Sequence, residues 1–273
     1  MAIWVLSGCA AAGPMVAEAP SPPPYLQKDI ADLAAMRAGL WSDDRQVFFW
    51  GEAGYAGEAP VGVTEWEIRP ASDGGLVSVL TGPGAGSGEL RHSFEITGSE
   101  IEERIGGGAC VIRWKRRAGG FAGVANAGEC TLLGAGAAEL FLTDADMDVR
   151  VGGLQAFRRA RTFTCWAAIL RGAVHGDSGE GMSGWDFRQG LTLHDQGGDA
   201  VLESDETPPR TVRLKLRDVD WPHGARRGSL TLYVLEGASD RAVSYAWTGG
   251  GEDRIGINLR WLQASCTRDG AEP

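Results

Sequence analysis

Glycine and proline are the residues that most limit what this chain can fold into. The 273 residues include 41 Gly and 12 Pro, together about a fifth of the chain, where the two usually make up ~12%. Because both residues interrupt helices, this density excludes a helical bundle or a coiled coil. Hydrophobic residues make up 43% of the chain, enough to bury a core that offsets the entropy cost of ordering. The composition therefore predicts a folded, turn-rich protein made largely of β-strands.

The charge balance excludes one large class of partner. Lys and Arg number 26 against 36 Asp and Glu, so the net charge is -10. A nucleic-acid-binding protein needs concentrated positive charge to neutralise phosphates. We therefore expect no nucleic-acid partner, and the length predicts one or two domains at roughly 150 residues each.

The N-terminus predicts a lipid anchor. Leu6-Ser7-Gly8-Cys9 is similar to a bacterial lipobox, in which the cysteine receives the lipid. The apolar stretch before it is shorter than a signal peptide needs, so we expect a truncated signal, although a plain apolar N-terminus would explain the same residues. Residues 10–27 are rich in Ala and Pro and predict an extended tether. The expected location is the periplasmic side of the outer membrane, held by Cys9, and the alternative is a soluble periplasmic protein.

Four cysteines remain when Cys9 is set aside, and three pairings of them are possible. We expect the disulfides Cys110–Cys130 and Cys165–Cys266, because each pair then lies within one candidate domain. No group of cysteines and histidines has the spacing of a zinc site, so no metal site is predicted.

Hydrophobic periodicity predicts one helix followed by strands. Residues 29–41 carry an apolar stripe at helical spacing, with Asp29 as the expected N-cap. Further along, apolar residues alternate with polar ones, which is typical of half-buried antiparallel strands. The clearest runs are 110–114, 212–216, 230–234, 243–247 and 255–261.

Domain boundaries follow from these patterns. We expect a signal and tether over residues 1–27, a first β domain over 28–160 and a second antiparallel β domain over 161–273. The boundary lies just after the basic residues Arg158 and Arg159. A tight turn within one larger sheet system is the alternative.

Residues 108–157 resemble a known family. A Gly-x-Cys strand at Cys110, a Gly-Phe-x-Gly turn at residues 120–123, a second cysteine at Cys130 and a closing Gly-Gly-aromatic strand ending at Phe157 follow one another. This order resembles the phycobiliprotein chromophore lyases of the CpcT/CpeT type. The opening helix, with Gly39, Trp41 and Gln46 near its end, is similar as well, so that the resemblance covers about residues 28–160.

The resemblance implies a calycin-like or lipocalin-like antiparallel barrel with one N-terminal helix, a ligand cavity and often a homodimer. It also implies binding of a linear tetrapyrrole and its attachment to a protein cysteine. The family's Tyr-x-Glu-Gln and Pro-Tyr-Arg-Gln strands, whose side chains line its tetrapyrrole pocket, have no clear counterpart in this sequence. We therefore transfer the fold and assign no catalytic residue.

Aromatic and basic residues of the first domain are the candidates for ligand contact. If the barrel holds a cavity, tryptophans beside arginines would suit a flat or acidic apolar ligand. The candidate ligand-binding residues are Trp50, Trp66, Arg69, Arg91, Arg113 and Trp114.

The expected function is therefore a non-catalytic lipoprotein of the bacterial envelope that binds a small apolar or tetrapyrrole-like ligand in its barrel. One alternative is a bilin lyase of the family that it resembles. The other is a β module for protein–protein assembly at the envelope. No cofactor is predicted beyond the tetrapyrrole that the resemblance implies.

Overall fold

The structure is a computed structural model that describes residues 23–50, 62–134, 136–172, 184–220 and 228–271. Within these ranges the chain is mostly strand, and the helices are α1 (Pro24–Arg37) and α2 (Asp44–Phe48). The predicted all-β class is confirmed. Cys9 lies outside the described residues.

Ten antiparallel strands form a closed barrel in which each strand pairs with its neighbours along the chain and the first pairs with the last. Trp41 of the first strand lies opposite Arg159 of the last. Closure therefore leaves none of these ten described strands with a free edge. The expected antiparallel barrel is confirmed, and its strands are β1 (Gly39–Ser42), β2 (Glu65–Pro70), β3 (Leu76–Thr81), β4 (Glu89–Thr97), β5 (Glu100–Ile105), β6 (Cys110–Arg117), β7 (Gly120–Ala125), β8 (Ala138–Leu142), β9 (Asp146–Arg150) and β10 (Leu154–Arg159).

Helix α1 lies earlier in the chain than the periodicity predicts. It extends from Pro24 to Arg37. It can begin at Pro24 because proline fixes the backbone angle that the first turn of a helix needs. The extended backbone of Ala38 and the positive φ of Gly39 (+139°) end it. Asp29 is therefore an interior residue of the helix and not its N-cap. Neither helix of the described ranges has the length and apolar character that a membrane crossing requires.

The turn between β5 and β6 has a backbone conformation that favours glycine. Gly106, Gly107 and Gly108 follow one another with φ of +61°, +70° and +101°. Residues with a side chain rarely adopt this left-handed region, and three in succession would be strained. The triple glycine therefore allows β6 to return directly alongside β5.

The second half of the chain forms two four-stranded antiparallel sheets. Their inward-facing residues share one hydrophobic core, which is the arrangement of a β-sandwich. Sheet B has the order β12-β11-β18-β17 and sheet C the order β13-β14-β15-β16. The strands are β11 (Thr162–Leu170), β12 (Trp185–His194), β13 (Gln196–Glu203), β14 (Thr211–Asp220), β15 (Gly228–Glu236), β16 (Ala242–Gly249), β17 (Arg254–Asn258) and β18 (Leu262–Arg268).

The prediction of a single strand over residues 255–261 is wrong for the residues after Asn258, where β17 ends. The chain turns after Asn258, and the backbone N–H of Leu259 donates to the carbonyl of Leu262 at 2.7 Å. The turn lets β18 pair with β17 on one side and with β11 on the other.

Both predicted disulfides are confirmed. Cys110 is bonded to Cys130 in the barrel, and Cys165 is bonded to Cys266 in the sandwich. Cys165 and Cys266 face each other directly across the β11–β18 pair.

Charged contacts join the barrel to the sandwich. The carboxylate of Asp44, at the start of α2, accepts two hydrogen bonds from the guanidinium of Arg217 at 2.7 and 2.9 Å. The same guanidinium stacks on the ring of Phe48, 4.0 Å from its centroid. Gly197 packs so closely on Asp44 that a Cβ there would lie 2.4 Å from the carboxylate. A side chain at position 197 would therefore push the two halves apart.

Removing the Cys165–Cys266 bridge should destabilise the protein more than removing Cys110–Cys130. The two bridges close loops with sequence separations of 101 and 20 residues. In the chain-entropy model we expect losses in the free energy of unfolding of about 5 and about 3 kcal/mol, respectively. Urea titration of the two double Cys→Ala variants measures both values. The reverse order would contradict the expectation.

Candidate ligand-binding site

The three arginines of the predicted ligand set lie on the outer face of the barrel wall. Arg69 and Arg91 are more than half exposed, and each is paired with a surface carboxylate, Glu89 and Asp73, respectively. Arg113 donates two hydrogen bonds to Glu129 at 2.7 and 3.2 Å. These side chains point away from the barrel interior.

The tryptophans of the set are placed differently. Trp66 and Trp114 are buried inside the barrel, where both rings lie against the guanidinium of Arg37, at 4.5 and 5.8 Å from the ring centroids. Trp50 follows α2 and is half-buried. The barrel wall therefore separates the predicted arginines from Trp66 and Trp114.

A charged cluster occupies the barrel interior. Glu103 of β5 and Arg37 of α1 are completely buried, with Arg37 Nε 3.3 Å from Glu103 Oε1. Glu103 Oε1 is also 2.7 Å from His92 Nδ1, and Glu103 Oε2 accepts a hydrogen bond from Trp114 Nε1 at 2.8 Å. His92 Nε2 lies 2.8 Å from the hydroxyl of Ser78. The cluster fastens α1 to the strands around it.

The environment of Glu103 favours its charged form. Burial alone would raise the pKa of this carboxyl, but the positive charge of Arg37 and the hydrogen bonds from His92 and Trp114 lower it to about 2. Glu103 is therefore a carboxylate at neutral pH and balances the charge of Arg37.

Two donors of the cluster have no acceptor within the described residues. They are Arg37 Nη2 and Trp66 Nε1, both buried. The burial of the whole cluster makes it unsuited to a large ligand.

Sequence reasoning missed this cluster although the signals are present. Arg37 lies four residues after Leu33 on the apolar stripe of α1, and Glu103 lies between Ile101 and Ile105 in the apolar row of β5. His92 occupies the same kind of position on β4. A polar residue within a buried row predicts a partner inside the core.

Exposed aromatic side chains lie on the outer face of sheet C. Tyr245 and Trp247 of β16 are 64% and 71% exposed. Tyr233 of β15 lies directly opposite Tyr245, with the ring centroids 6.3 Å apart. These rings line a groove of about 630 Å³, the aromatic groove, whose residues are Gly228, Ser229, Thr231, Tyr233, Tyr245, Trp247, Thr248 and Gly249.

A row of basic side chains borders the aromatic groove on β14. Lys215 lies opposite Tyr233, and Arg217 lies opposite Thr231. Arg217 is held by Asp44, and Arg213 is paired with Asp240 at 2.9 Å. Burial raises the pKa of the Tyr233 phenol, so this hydroxyl stays protonated at neutral pH and can donate a hydrogen bond. The surface can thus contact a flat apolar face and an anionic group of one ligand.

A polar cleft of about 330 Å³ lies between the barrel and the sandwich. His194 Nε2 is 3.1 Å from Glu65 Oε1 at this cleft, and the hydrogen bond from His194 lowers the pKa of Glu65. Asp195, which is buried, accepts hydrogen bonds from the backbone and side chain of Arg161. The His194–Glu65 pair connects the two halves, and the Arg161–Asp195 pair holds the start of the second half in place.

Glu103→Gln should destabilise the protein at neutral pH and flatten its response to acid. The variant keeps the shape of the side chain but leaves Arg37 as a buried charge without its counter-ion, which costs about 3–5 kcal/mol. In the wild type the pKa of Glu103 in the folded state, about 2, lies below its ordinary value of 4.5. Its stabilisation is therefore complete above pH 4.5 and is lost as the pH falls towards 2.

Urea unfolding measured at a series of pH values tests this expectation. The matched control is Glu95→Gln, which removes a carboxylate that is 62% exposed on the neighbouring strand and should leave the profile nearly unchanged. If the free energy of unfolding fell as steeply with decreasing pH in Glu103→Gln as in the wild type, the lowered pKa of Glu103 would be contradicted.

No protein-family model matches the chain, and no curated protein and no solved structure shows significant similarity to it.

Proposed function

We propose that this chain is a non-catalytic binding protein of the bacterial envelope. Its aromatic groove binds a small ligand that has a flat apolar face and an anionic group. A tetrapyrrole with its acidic side chains has this chemistry, and it is the ligand class that the resemblance of residues 28–160 suggests. The barrel supports the binding surface and does not enclose the ligand.

The observation that carries the proposal is the exposure of aromatic rings on regular strands. Tyr245 and Trp247 leave most of their surface in water, and large exposed apolar patches usually mark binding surfaces. Both rings are held by strand β16, which is paired along its length with β15. A rigid, preformed surface of this kind loses little conformational entropy when a ligand binds.

The packing of the barrel interior supports a structural role for the first domain. Trp41, Trp66 and Trp114 are fully buried there, and the ion pair of Arg37 with Glu103 lies between the helix and the wall. These side chains occupy the space in which a calycin-type barrel would hold a ligand. The site that we propose therefore lies on the sandwich, outside the residues chosen from the sequence.

The location is supported by the cysteine chemistry. Two disulfides are formed, and disulfides form and persist in oxidising compartments such as the periplasm. Attachment to the membrane through lipid on Cys9 is the further part of the proposal, supported by the lipobox-like residues 6–9.

Ligand titrations of the full chain test the groove. We expect a linear tetrapyrrole or haem to quench tryptophan fluorescence, and Trp247→Ala to weaken binding tenfold or more, equivalent to at least ~1.4 kcal/mol. Phe141→Ala is the matched control, since it removes an aromatic ring that is 43% exposed on the barrel wall, and it should leave the affinity unchanged.

Other outcomes separate the alternatives. Failure of tetrapyrroles and fatty acids to bind would contradict the proposal. Loss of binding in Trp66→Phe but not in Trp247→Ala would indicate that the ligand binds inside the barrel and not in the aromatic groove. Transfer of a bound bilin to a phycobiliprotein cysteine would favour the lyase alternative.

The lipid anchor makes a separate prediction. When the chain is expressed in a bacterium behind a lipoprotein signal peptide, Cys9→Ala should move it from the detergent phase to the aqueous phase in a phase-partition experiment. A single acyl chain gives weak membrane binding and several chains give stable anchoring. Equal partition of the variant and the wild type would contradict lipidation.

A further inference from the structure

The sandwich has four edge strands among the described residues, and they are protected unequally. The edges are β12 and β17 in sheet B, and β13 and β16 in sheet C. An edge strand offers unpaired N–H and C=O groups, which proteins usually protect from further pairing with charged residues or proline.

Three of these edges carry charges. Asp186 and Arg188 lie on β12, Asp199 and Glu203 lie on β13, and Arg254 lies on β17. The fourth edge, β16, has the sequence AVSYAWTG, with no charged residue and no proline over its eight positions. The edge strand β16 therefore lacks the charges and proline that protect edge strands from further pairing.

The outer face of β16 is apolar as well. Val243, Tyr245 and Trp247 are 52%, 64% and 71% exposed. Their spacing of two residues places them in one row along the strand. The edge and the row together form a surface that is suited to pairing with another strand.

We propose that β16 pairs in antiparallel fashion with β16 of a second copy of this chain, so that sheet C continues across a two-fold axis. The axis passes beside Tyr245, which then faces the partner's Tyr245. Val243 faces the partner's Trp247, and Trp247 faces the partner's Val243. The proposal does not depend on a ligand in the aromatic groove, because edge pairing leaves that face of the sheet open.

The side-chain pattern of β16 favours this register. It creates one aromatic–aromatic pair and two aromatic–β-branched pairs, which are among the stabilising cross-strand pairs in sheets. On the opposite face, Ser244 meets the partner's Ala246 and Ala242 meets the partner's Thr248. These side chains are small and uncharged, so the two backbones can approach without steric or electrostatic conflict.

The same pattern favours a second copy over an unrelated strand. Hydrophobic residues lie two positions on either side of Tyr245, so the strand is complementary to itself when it is reversed. A contact of this kind is isologous and closes as a dimer, without leading to a filament.

Sedimentation of the full chain tests the proposal. We expect a dimer whose dissociation constant rises tenfold or more in Tyr245→Lys, since two ammonium groups would then face each other at the axis. The register is tested by two double variants. Val243→Lys/Trp247→Glu places each new lysine opposite the partner's new glutamate, whereas Val243→Lys/Trp247→Lys places lysine opposite lysine.

The first double variant should dimerise at least tenfold more tightly than the second. Val201→Lys is the matched control, because it adds a charge at a 61% exposed valine on the opposite edge strand, β13, and it should dimerise like the wild type. Circular dichroism checks that each variant is folded. A monomeric wild type, equal behaviour of the two double variants, or loss of the dimer in Val201→Lys would overturn the proposal.

Discussion

Arg37 and Glu103 form an ion pair that is completely closed to water, and the architecture of the first domain depends on it. An ion pair in a low-dielectric core offsets its desolvation cost only when further hydrogen bonds support the charged groups. His92 and Trp114 supply those partners for the carboxylate, which draws α1, β4, β5 and β6 together. The barrel interior is thereby filled by side chains of α1 and of the strands, and the exposed aromatic surface lies on the sandwich.

Much of the fold was accessible from the sequence, and the reasons are specific. The apolar residues at every second position over 212–216 and 230–234 lie in the sandwich core, as their spacing predicts. The disulfides followed from keeping each pair within one domain. The start of α1 was missed because Pro23 and Pro24 were assigned to the tether, although proline is also a helix-starting residue.

The candidate ligand residues were harder to predict, because residue type alone does not indicate which face of a strand a side chain occupies. Neighbouring residues of a strand point to opposite faces, so Trp114 inside the barrel places Arg113 outside it. The same alternation separates Trp66 from Arg69. The aromatic groove could not be predicted, since it depends on which face of β16 the sandwich core covers. The Asp44–Arg217 contact joins residues 173 positions apart, and no local pattern indicates it.

The pairing of first and last strands has a consequence for how such a chain could arise. In the barrel, Trp41 of β1 lies opposite Arg159 of β10, and in the sandwich Phe163 of β11 lies opposite Arg268 of β18. Each unit therefore begins and ends at neighbouring positions in space, which is the arrangement that tolerates insertion and exchange of whole domains. The barrel and the sandwich are joined by the short connection at Ala160 and Arg161. Either unit could be moved to another protein while its first and last strands stay paired.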